Sequence, residues 1–379
     1  MNTPLVPLRL LYLYGEAFTG KRAREIHTLN RCLSLCRAGV DVTLVIAESP
    51  ALKDDAMLLD AFGLKAPANL SIVRFPRHFT LGPLRFLSSS YYYRNVLRWL
   101  NKTVSFDLAY VIHLKAADFL QKKVAALPVI FEAHELFADA YPETTKKFKL
   151  LSQQENRIYQ ASSGVVATSL YLWNAIRERY PQATKTFFIS PNCVDPFYFS
   201  TPTDQADPRR LIYVGSFQPW KGVPTAIEAM RSLPEFQLTV VGGNETQVRE
   251  LAEEAPPNVM FTGFLSKEQI LPLLAKAAIG LLPNRLEPKN SLYTFPMKLV
   301  EYAAANKKVV ATDLPVLREL NPGSWLQLIQ PDNPVALAKA IREMTATETH
   351  ASRAWAMRYQ WDIRAQELAA FLNENVRKT

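Results

Sequence analysis

The chain has 379 residues, 48% of them hydrophobic, and this length and composition predict two domains with a core each. Its formal net charge of +9 favours anionic partners such as phosphates, anionic lipid or nucleic acid, without choosing among them. Three cysteines are too few for a disulfide framework, which suits a reducing cytoplasm, and no apolar run approaches the ~18 residues that would span a bilayer.

The first half of the chain alternates between strand-like and helix-like segments. Residues 8–14 form a short apolar run without the charged start or the cleavage site of a secretion signal. A segment with helical spacing follows at 24–39 and stops at Gly39. Further predicted strands lie at 40–47, 108–113, 127–134 and 163–169. Strands separated by helices predict a parallel sheet that is covered on both faces.

A stretch with little periodicity, residues 192–210, interrupts this alternation. It holds three prolines and three aspartates and is typical of a linker. A second series of predicted strands follows at 210–216, 236–243, 258–264, 278–284 and 307–313. Residues 355–376 have the spacing of one amphipathic helix.

This pattern predicts an α/β fold with two Rossmann-like, doubly wound parallel-sheet domains facing a cleft. We expect the N-terminal domain at 1–195, a linker at 196–209, a second domain at 210–352 and a terminal helix at 353–379. Ligands of such sheets bind outside the carboxyl ends of the strands. The candidate sites all fall just after predicted strands.

Two loops of the second half are suited to a phosphate. In one, Gly215 and Ser216 end a strand, and Lys221 lies at the entrance of the next helix. Free amides at a helix N-terminus favour phosphate, and a lysine there adds a full charge. In the other loop, Gly242 allows close approach of a ligand. Ordinary turns would give the same pattern, and the spacing fits neither a Walker loop nor a dinucleotide fingerprint.

One predicted helix of the second half carries a charge pair near its start, in NSLYTFPMKLVEYAAANKKVVATDLP. It begins at Phe295 or Pro296, with Thr294 able to cap it. Lys298 and Glu301 are three residues apart and therefore share a face. One interpretation is an ordinary surface ion pair. The other is that the helix amides take a diphosphate while Glu301 accepts hydrogen bonds from two ribose hydroxyls.

Polar groups also end predicted strands of the first half. Glu132 and His134 share a strand face, where a carboxylate close to an imidazole can hold its tautomer. His113 ends the preceding strand, and Lys21 and Arg22 make the loop after the first strand cationic. The alternatives are histidines satisfied at strand ends and a solvated loop.

The order and spacing of these motifs resemble the GT-B glycosyltransferases of family 4, a retaining class that uses nucleotide-activated sugars. The matching stretches run along almost the whole chain and are REIHTLNRCLSLCRAGVDVTLV, FEAHE, ISPNCVD, YVGSFQPWKGV, FPMKLVEYAAANKKVVATDLP and YQWDIRAQEL. The resemblance implies that the last helix crosses back to the N-terminal domain. It also implies that no cofactor or divalent metal is required, because lysine and helix amides neutralise the leaving diphosphate.

The resemblance gives roles to the candidate residues. Lys221 would bind the donor phosphates, Glu301 the ribose, and His134 would lie near the transferred sugar, with His134 and Lys221 as the catalytic candidates. The donor side would comprise Gly215, Ser216, Lys221, Gly242, Tyr293, Thr294, Phe295, Pro296, Met297, Lys298 and Glu301. The acceptor side would comprise Lys21, Arg22, His113, Glu132 and His134. Tyr293 replaces a family glutamate that contacts the sugar, and Ser216 replaces a basic residue.

We therefore expect a retaining, metal-independent glycosyltransferase that moves a sugar from a nucleotide-sugar donor to a glycan or lipid-linked acceptor. The alternative is a sugar-nucleotide-binding protein of the same fold, either epimerase-like or without catalysis. The missing glycine fingerprint argues against a nicotinamide dehydrogenase. No recognition motif supports nucleic-acid binding.

The segment 74–102 combines six Lys or Arg with many aromatic residues and has no acidic residue. Its predicted helix places Tyr92, Val96 and Trp99 on one side and Arg94, Arg98 and Lys102 nearer the other. This combination suits an anionic lipid surface, and the alternative is that the aromatic residues pack against the sheet. We expect a cytoplasmic protein, with peripheral binding at the inner face of the membrane as a further hypothesis.

Overall fold

The computed structural model describes residues 7–20, 22–81, 84–103, 105–286, 292–293, 295–320, 322–346 and 352–378. The chain forms two compact units, Met1–Ser190 with Trp361–Thr379 and Pro191–Gln360. The chain therefore passes from one unit to the other twice, first after residue 190, close to the predicted division after 195, and again after residue 360.

Parallel strands form the centre of the first unit. Its strands are β1 (Arg9–Ala17), β2 (Asp41–Ala47), β3 (Leu70–Phe75), β4 (His78–Leu81), β5 (Leu84–Leu87), β6 (Leu108–Val111), β7 (Val129–Ala133), β8 (Gly164–Ala167) and β9 (Phe187–Ile189). Seven of them form a parallel sheet in the order β3-β2-β1-β6-β7-β8-β9, while β4 and β5 pair as an antiparallel hairpin. The central strands β6, β7 and β8 are buried along their whole length, which explains why their sequences are apolar apart from Glu132 in β7.

Helices connect these strands. They are α1 (Ala23–Arg37), α2 (Asp55–Asp60), α3 (Ser89–Leu100), α4 (Leu114–Lys123), α5 (Lys146–Ala161) and α6 (Leu170–Arg179), with one turn of 3-10 helix at Phe137–Ala140. Four of them, α2, α3, α5 and α6, begin after a serine, threonine or aspartate whose side chain accepts a hydrogen bond from the first turn. These caps fix where each helix begins.

The second unit repeats this architecture. Its strands are β10 (Asp207–Val214), β11 (Gln237–Val241), β12 (Val259–Gly263), β13 (Ala277–Leu282), β14 (Lys308–Thr312) and β15 (Leu326–Ile329). They form one parallel sheet in the order β12-β11-β10-β13-β14-β15. The helices are α7 (Val223–Met230), α8 (Glu245–Glu254), α9 (Lys267–Lys276), α10 (Met297–Ala304), α11 (Pro315–Arg318), α12 (Pro334–Thr345) and α13 (Ser352–Met357). The predicted pair of doubly wound parallel-sheet units is confirmed.

The prediction of one helix over 355–376 is wrong. Helix α13 ends at Met357, and a separate helix, α14 (Trp361–Lys378), belongs to the first unit, where it packs on α1. The break has a backbone cause, because the Tyr359 carbonyl accepts a hydrogen bond from Val194 N at 2.9 Å. The Tyr359 ring also packs on Trp355, with 4.5 Å between centroids.

The predicted linker 196–209 is partly structured. Pro196–Ser200 forms a turn of 3-10 helix, and β10 already begins at Asp207. Tyr198 is 5% exposed and joins the core of the second unit, so the aromatic residues of this stretch have a packing role.

Helix α3 forms as predicted, but its apolar side faces the protein. Tyr92 and Val96 are fully buried, and Trp99 packs on Phe75 with 5.8 Å between ring centroids. The hypothesis that Tyr92, Val96 and Trp99 face lipid is therefore wrong for the two buried residues. The cations Arg94, Arg98 and Lys102 are exposed. Across the described residues, no helix combines the length and the apolar character needed to cross a membrane.

Candidate functional site

The loop that follows β10 fixes the position of Lys221. Residues Pro219–Lys221 form a 3-10 turn, and Gly222 adopts a left-handed conformation, with φ +68°, directly before α7. A Cβ at residue 222 would lie 1.8 Å from the Pro283 carbonyl oxygen, so only glycine fits there. This close backbone contact holds Lys221 at the entrance of α7, where the sequence predicted it.

A second glycine brings two loops of the second unit together. Gly242 has φ +120°, and a Cβ there would lie 1.9 Å from the Gly215 carbonyl oxygen. Gly215 N in turn donates to Val241 O at 3.0 Å. Ser216 is exposed beside this contact, and its carbonyl accepts a hydrogen bond from the Tyr213 hydroxyl at 2.8 Å. The structure therefore groups Gly215, Ser216 and Gly242 at the carboxyl ends of β10 and β11.

Helix α10 carries the predicted charge pair. The helix begins at Met297, with Pro296 in the capping position and no side-chain cap, and Thr294 lies outside the described residues. Lys298 Nζ donates to Glu301 Oε2 at 2.7 Å. At the helix entrance, the buried Asn192 amide donates to Phe295 O at 2.9 Å.

Buried side chains around α10 anchor it in the core. Its buried residues beside Glu301 are Leu299, Val300, Tyr302, Ala303 and Ala304, and the Tyr302 hydroxyl accepts a hydrogen bond from Val214 N at 2.8 Å. Met297, Lys298 and Glu301 are thus presented on a rigid element. Tyr293 is 3% exposed, so a sugar could contact only a small part of this side chain.

Two positive charges meet at this site. Burial, and then the positive charge of Lys298, lower the pKa of Lys221 to about 8. The Lys221 ammonium lies 3.8 Å from the centroid of the Trp220 ring. Among the residues that the structure describes, no carboxylate lies within ion-pair distance of Lys221. An anion placed here would relieve the repulsion between the two lysines.

Tyr198 is a further functional candidate, and its sequence context gives no signal for this role. Burial, and then the negative charge of the nearby Glu301 carboxylate, raise the pKa of Tyr198. Glu301 accepts a hydrogen bond from Lys298 and lies close enough to Tyr198 to act on it through its charge, and a carboxylate can accept further hydrogen bonds. Tyr198 lies in the stretch predicted as a linker, where no pattern pointed to the site.

A buried charge network lies at the end of β7 in the first unit. Glu132 is fully buried, and its Oε1 atom lies 3.1 Å from His27 Nε2, 3.1 Å from Arg31 Nη2 and 3.3 Å from His134 Nε2. Its other oxygen accepts a hydrogen bond from the Tyr110 hydroxyl at 2.7 Å. Glu132 is therefore not accessible to a substrate. Among its partners in this network, His134 is the one that is partly exposed.

The electrostatics of this network keep Glu132 charged. Burial alone would raise the pKa of Glu132, but Arg31 and His27 hold it well below its usual range. Burial lowers the pKa of His27 to about 4, so this imidazole is neutral at physiological pH. His27 and Arg31 were not singled out in the sequence, although their spacing of four residues on a helix places both on one face.

The other acceptor-side candidates lie on the same edge of the first sheet. His113 follows β6 and packs edge-on against Tyr14, with 4.9 Å between ring centroids. Burial, followed by the charges of Arg24, His134 and Arg22, lowers the pKa of His113 to about 3. Arg22 is exposed and lies 3.3 Å from Glu16, while Lys21 lies outside the described residues.

His27, Glu132 and His134 could each offer one ligand atom to a metal ion, and these atoms lie within 4.8 Å of one another. However, Arg31 already neutralises the carboxylate from 3.1 Å. A divalent cation would have to share Glu132 with a guanidinium, so the charges do not favour a metal here. Metal independence stays a prediction.

Comparison with known families gives two matches along the chain. Residues 25–196 match the model described as Glycosyltransferase Family 4, and residues 208–347 match the one described as Glycosyl transferases group 1. The chain belongs to the group 1 glycosyltransferases. These matches confirm the predicted resemblance to the extent that the chain is a group 1 glycosyltransferase.

Curated relatives align over part of their length. The provisionally named teichuronic acid biosynthesis glycosyltransferase TuaH of Bacillus subtilis is 24% identical over 207 residues, 52% of each protein. The alpha-galactosylglucosyldiacylglycerol synthase of Streptococcus pneumoniae is 25% identical over 123 residues, 30% of this chain and 31% of that protein. The chain thus spans about half the length, or less, of these relatives.

Solved structures agree with this glycosyltransferase chain in fold. Sucrose-phosphate synthase from Thermosynechococcus elongatus has a TM-score of 0.71 at 16% identity, covering 98% of this chain and all of that one. Anabaena HepE in complex with UDP-glucose has a TM-score of 0.67 at 20% identity, covering 97% and 100%. These neighbours confirm the predicted GT-B fold class.

Proposed function

We propose that this chain is a metal-independent retaining glycosyltransferase that binds a nucleotide-sugar donor in its second unit. The observation that carries the proposal is the pair of lysines, Lys221 and Lys298, at the entrances of α7 and α10, with Glu301 beside them. Two cations and a helix N-terminus match a diphosphate, and a carboxylate matches a ribose diol. The HepE structures with UDP and UDP-glucose make a uridine nucleotide sugar the first donor to test.

In this mechanism the protein acts mainly on the leaving group. The bond from the anomeric carbon to the phosphate oxygen breaks, the bond from the same carbon to an acceptor hydroxyl oxygen forms on the same face, and the hydroxyl proton passes to the departing phosphate oxygen. Lys221 and the amides of α10 stabilise the negative charge that develops on the diphosphate. They take the role that a divalent metal ion would otherwise have. We assign the acceptor to the first unit, with His134 as its candidate catalytic group.

The acceptor is proposed to be a glycan or a lipid-linked sugar. The Streptococcus relative is named as a glycolipid synthase, and another relative, at 29% identity over 130 residues, is named for amylovoran biosynthesis in Erwinia amylovora. Exposed cations on α3, together with Phe86 and Leu87 on the adjoining hairpin, support peripheral contact with anionic lipid.

A screen of nucleotide sugars by thermal shift, followed by hydrolysis and transfer assays in EDTA, tests the proposal. Donor at 100 times its dissociation constant should stabilise the protein by about 2.7 kcal/mol. Turnover that persists in EDTA and retains the anomeric configuration is expected. Tyr293 and Ser216, which depart from the family pattern, favour the alternative of a binding protein without transfer. Binding without hydrolysis or transfer would establish that alternative.

A further inference from the structure

We infer that Trp361, the first residue of α14, acts with His27 and Arg31 as a positioning residue for His134. The effect on turnover rests on the proposed function, whereas the structural effect on His134 does not. Nothing in the family matches or the predicted motifs assigns a role to these three residues.

Aromatic contacts link Trp361 to His134 through His27. The Trp361 ring is 5% exposed, and its centroid lies 5.2 Å from that of the His27 ring at an angle of 65°. The His27 ring meets the His134 ring edge-on, with 4.9 Å between centroids and an angle of 84°. His27 is therefore held between Trp361 on one side and His134 on the other.

A second link runs through charge. The Arg31 guanidinium lies 5.4 Å from the centroid of the Trp361 ring, and Arg31 Nη2 lies 3.1 Å from Glu132 Oε1. Both members of this ion pair are fully buried, so the pair is stable only while its partners hold it in one geometry. A desolvated guanidinium over an aromatic ring gains more from the contact than an exposed one. Trp361 thus helps to fix the guanidinium that fixes Glu132.

Glu132 in turn sets the state of His134. His134 Nε2 lies 3.3 Å from Glu132 Oε1, close enough for the carboxylate to act through its charge. In the neutral imidazole this charge favours the tautomer with its proton on Nε2, which leaves Nδ1 as the acceptor. Neutral His27 donates to the same oxygen from 3.1 Å and keeps it oriented. His134 is 21% exposed, so it is the member of the network that can meet a substrate.

The competing explanation is that Trp361 only anchors α14 in the core. Trp173 provides a matched control, because it is also 5% exposed in the first unit and also has an arginine, Arg177, beside its ring at 5.8 Å. Its ring stacks on Phe187, with 4.4 Å between centroids, and within the described part of the chain it makes no ring contact with the Glu132 network. Trp361→Leu and Trp173→Leu should therefore lose similar packing, but only the first should affect His134.

The test compares the two variants by NMR of the full chain labelled with ¹⁵N-histidine, in mildly alkaline buffer. A His134→Ala variant assigns the signal. We expect the wild type and Trp173→Leu to show a single Nε2-protonated tautomer, and Trp361→Leu to show a mixture. With the identified nucleotide sugar, kcat of Trp361→Leu should fall about tenfold while the donor KM changes less than about twofold. Trp361→Phe, which keeps a ring, should recover most of this loss.

An unchanged His134 tautomer in Trp361→Leu, or equal losses of kcat in both tryptophan variants, would overturn the inference. If Trp361→Leu does not fold, Trp361→Phe carries the test, because phenylalanine is the weaker cation–π partner. A smaller shift of the tautomer balance in the same direction is then expected, and an identical His134 signal would refute the inference. If no nucleotide sugar is turned over, the proposed function fails, but the NMR result still decides the positioning role.

Discussion

Lys298 Nζ lies 2.7 Å from Glu301 Oε2, one turn further along α10. The side chains are 29% and 11% exposed, so this is not the freely solvated pair that usually contributes little. The charge of Lys298 also acts on Lys221, whose pKa it lowers together with burial. The pair is thus part of a positive cluster in which Glu301 is the carboxylate paired with Lys298, and an anionic donor would balance the remaining positive charge.

Replacing Glu301 with glutamine should weaken donor binding. The amide keeps the shape of the side chain but loses the charge and one of the two acceptors offered to a ribose diol. A charged hydrogen bond contributes ~1.5–3 kcal/mol, so calorimetry should show a loss of about tenfold or more in affinity. Glu343→Gln, in the Lys339–Glu343 pair of α12, is the control. Equal affinity in Glu301→Gln and wild type would remove Glu301 from the donor site.

Donor affinity should depend on pH through Lys221. The pKa of Lys221 is about 8 in the free protein, and a bound diphosphate favours the protonated form and raises that pKa. Affinity should therefore be constant below pH 8 and fall by up to about tenfold per pH unit above it. In Lys298→Ala the fall in affinity should begin at a higher pH, because one of the two causes that lower the pKa of Lys221 is removed. A donor affinity that does not fall above pH 8, or a fall that begins at the same pH in Lys298→Ala as in the wild type, would contradict this assignment.

Gly222→Ala should damage the donor site more than its backbone strain alone explains. Gly263 is the matched control, since its φ is +70° and no described atom lies within 4 Å of a Cβ placed there, whereas at Gly222 the Cβ meets Pro283 O. Alanine in the left-handed region costs ~1–2 kcal/mol, and this cost should appear in both variants by denaturant unfolding. Only Gly222→Ala should also lose donor affinity. Similar affinity in the two variants would show that the Gly222–Pro283 contact does not place Lys221.

Vesicle binding should depend on the exposed cations of α3. Changing Arg94, Arg98 and Lys102 to serine should abolish sedimentation with anionic vesicles at low salt, because each basic residue near such a surface contributes ~1 kcal/mol. Changing Lys115, Lys122 and Lys123 of α4 to serine removes the same charge elsewhere in the unit and should have little effect. Equal effects of the two triple variants would indicate attraction by net charge alone. A wild type that does not sediment would leave no membrane role for α3.

The inner strands of both sheets could be predicted from the sequence because they are largely buried and therefore apolar, whereas the edge strands β3, β9 and β15 are partly exposed and were not predicted. The Lys221 loop and the charge pair of α10 could also be predicted, since each depends on neighbours in sequence and on a helix N-terminus. The break between α13 and α14 could not, because the Val194 amide that donates to the Tyr359 carbonyl comes from a distant part of the sequence.

Local sequence patterns also could not predict which buried side chains contact the candidate residues. His27 and Glu132 are 105 residues apart in sequence, and Tyr198 reaches Glu301 from a stretch without periodicity. Which side chains meet across such separations is decided by how the strands are ordered in a sheet. A histidine and an arginine four residues apart on a helix indicate a shared face, but they do not indicate which carboxylate that face will meet.

The most direct test of donor binding in the second unit is a calorimetric titration of the full chain with UDP-glucose and the other nucleotide sugars, in EDTA, for the wild type and Lys221→Met. We predict that the wild type binds one donor molecule without metal. The variant should lose about tenfold or more in affinity, since a charge-assisted contact to phosphate is removed. Absence of binding without added metal, or equal affinity in the two proteins, would contradict the proposed donor site.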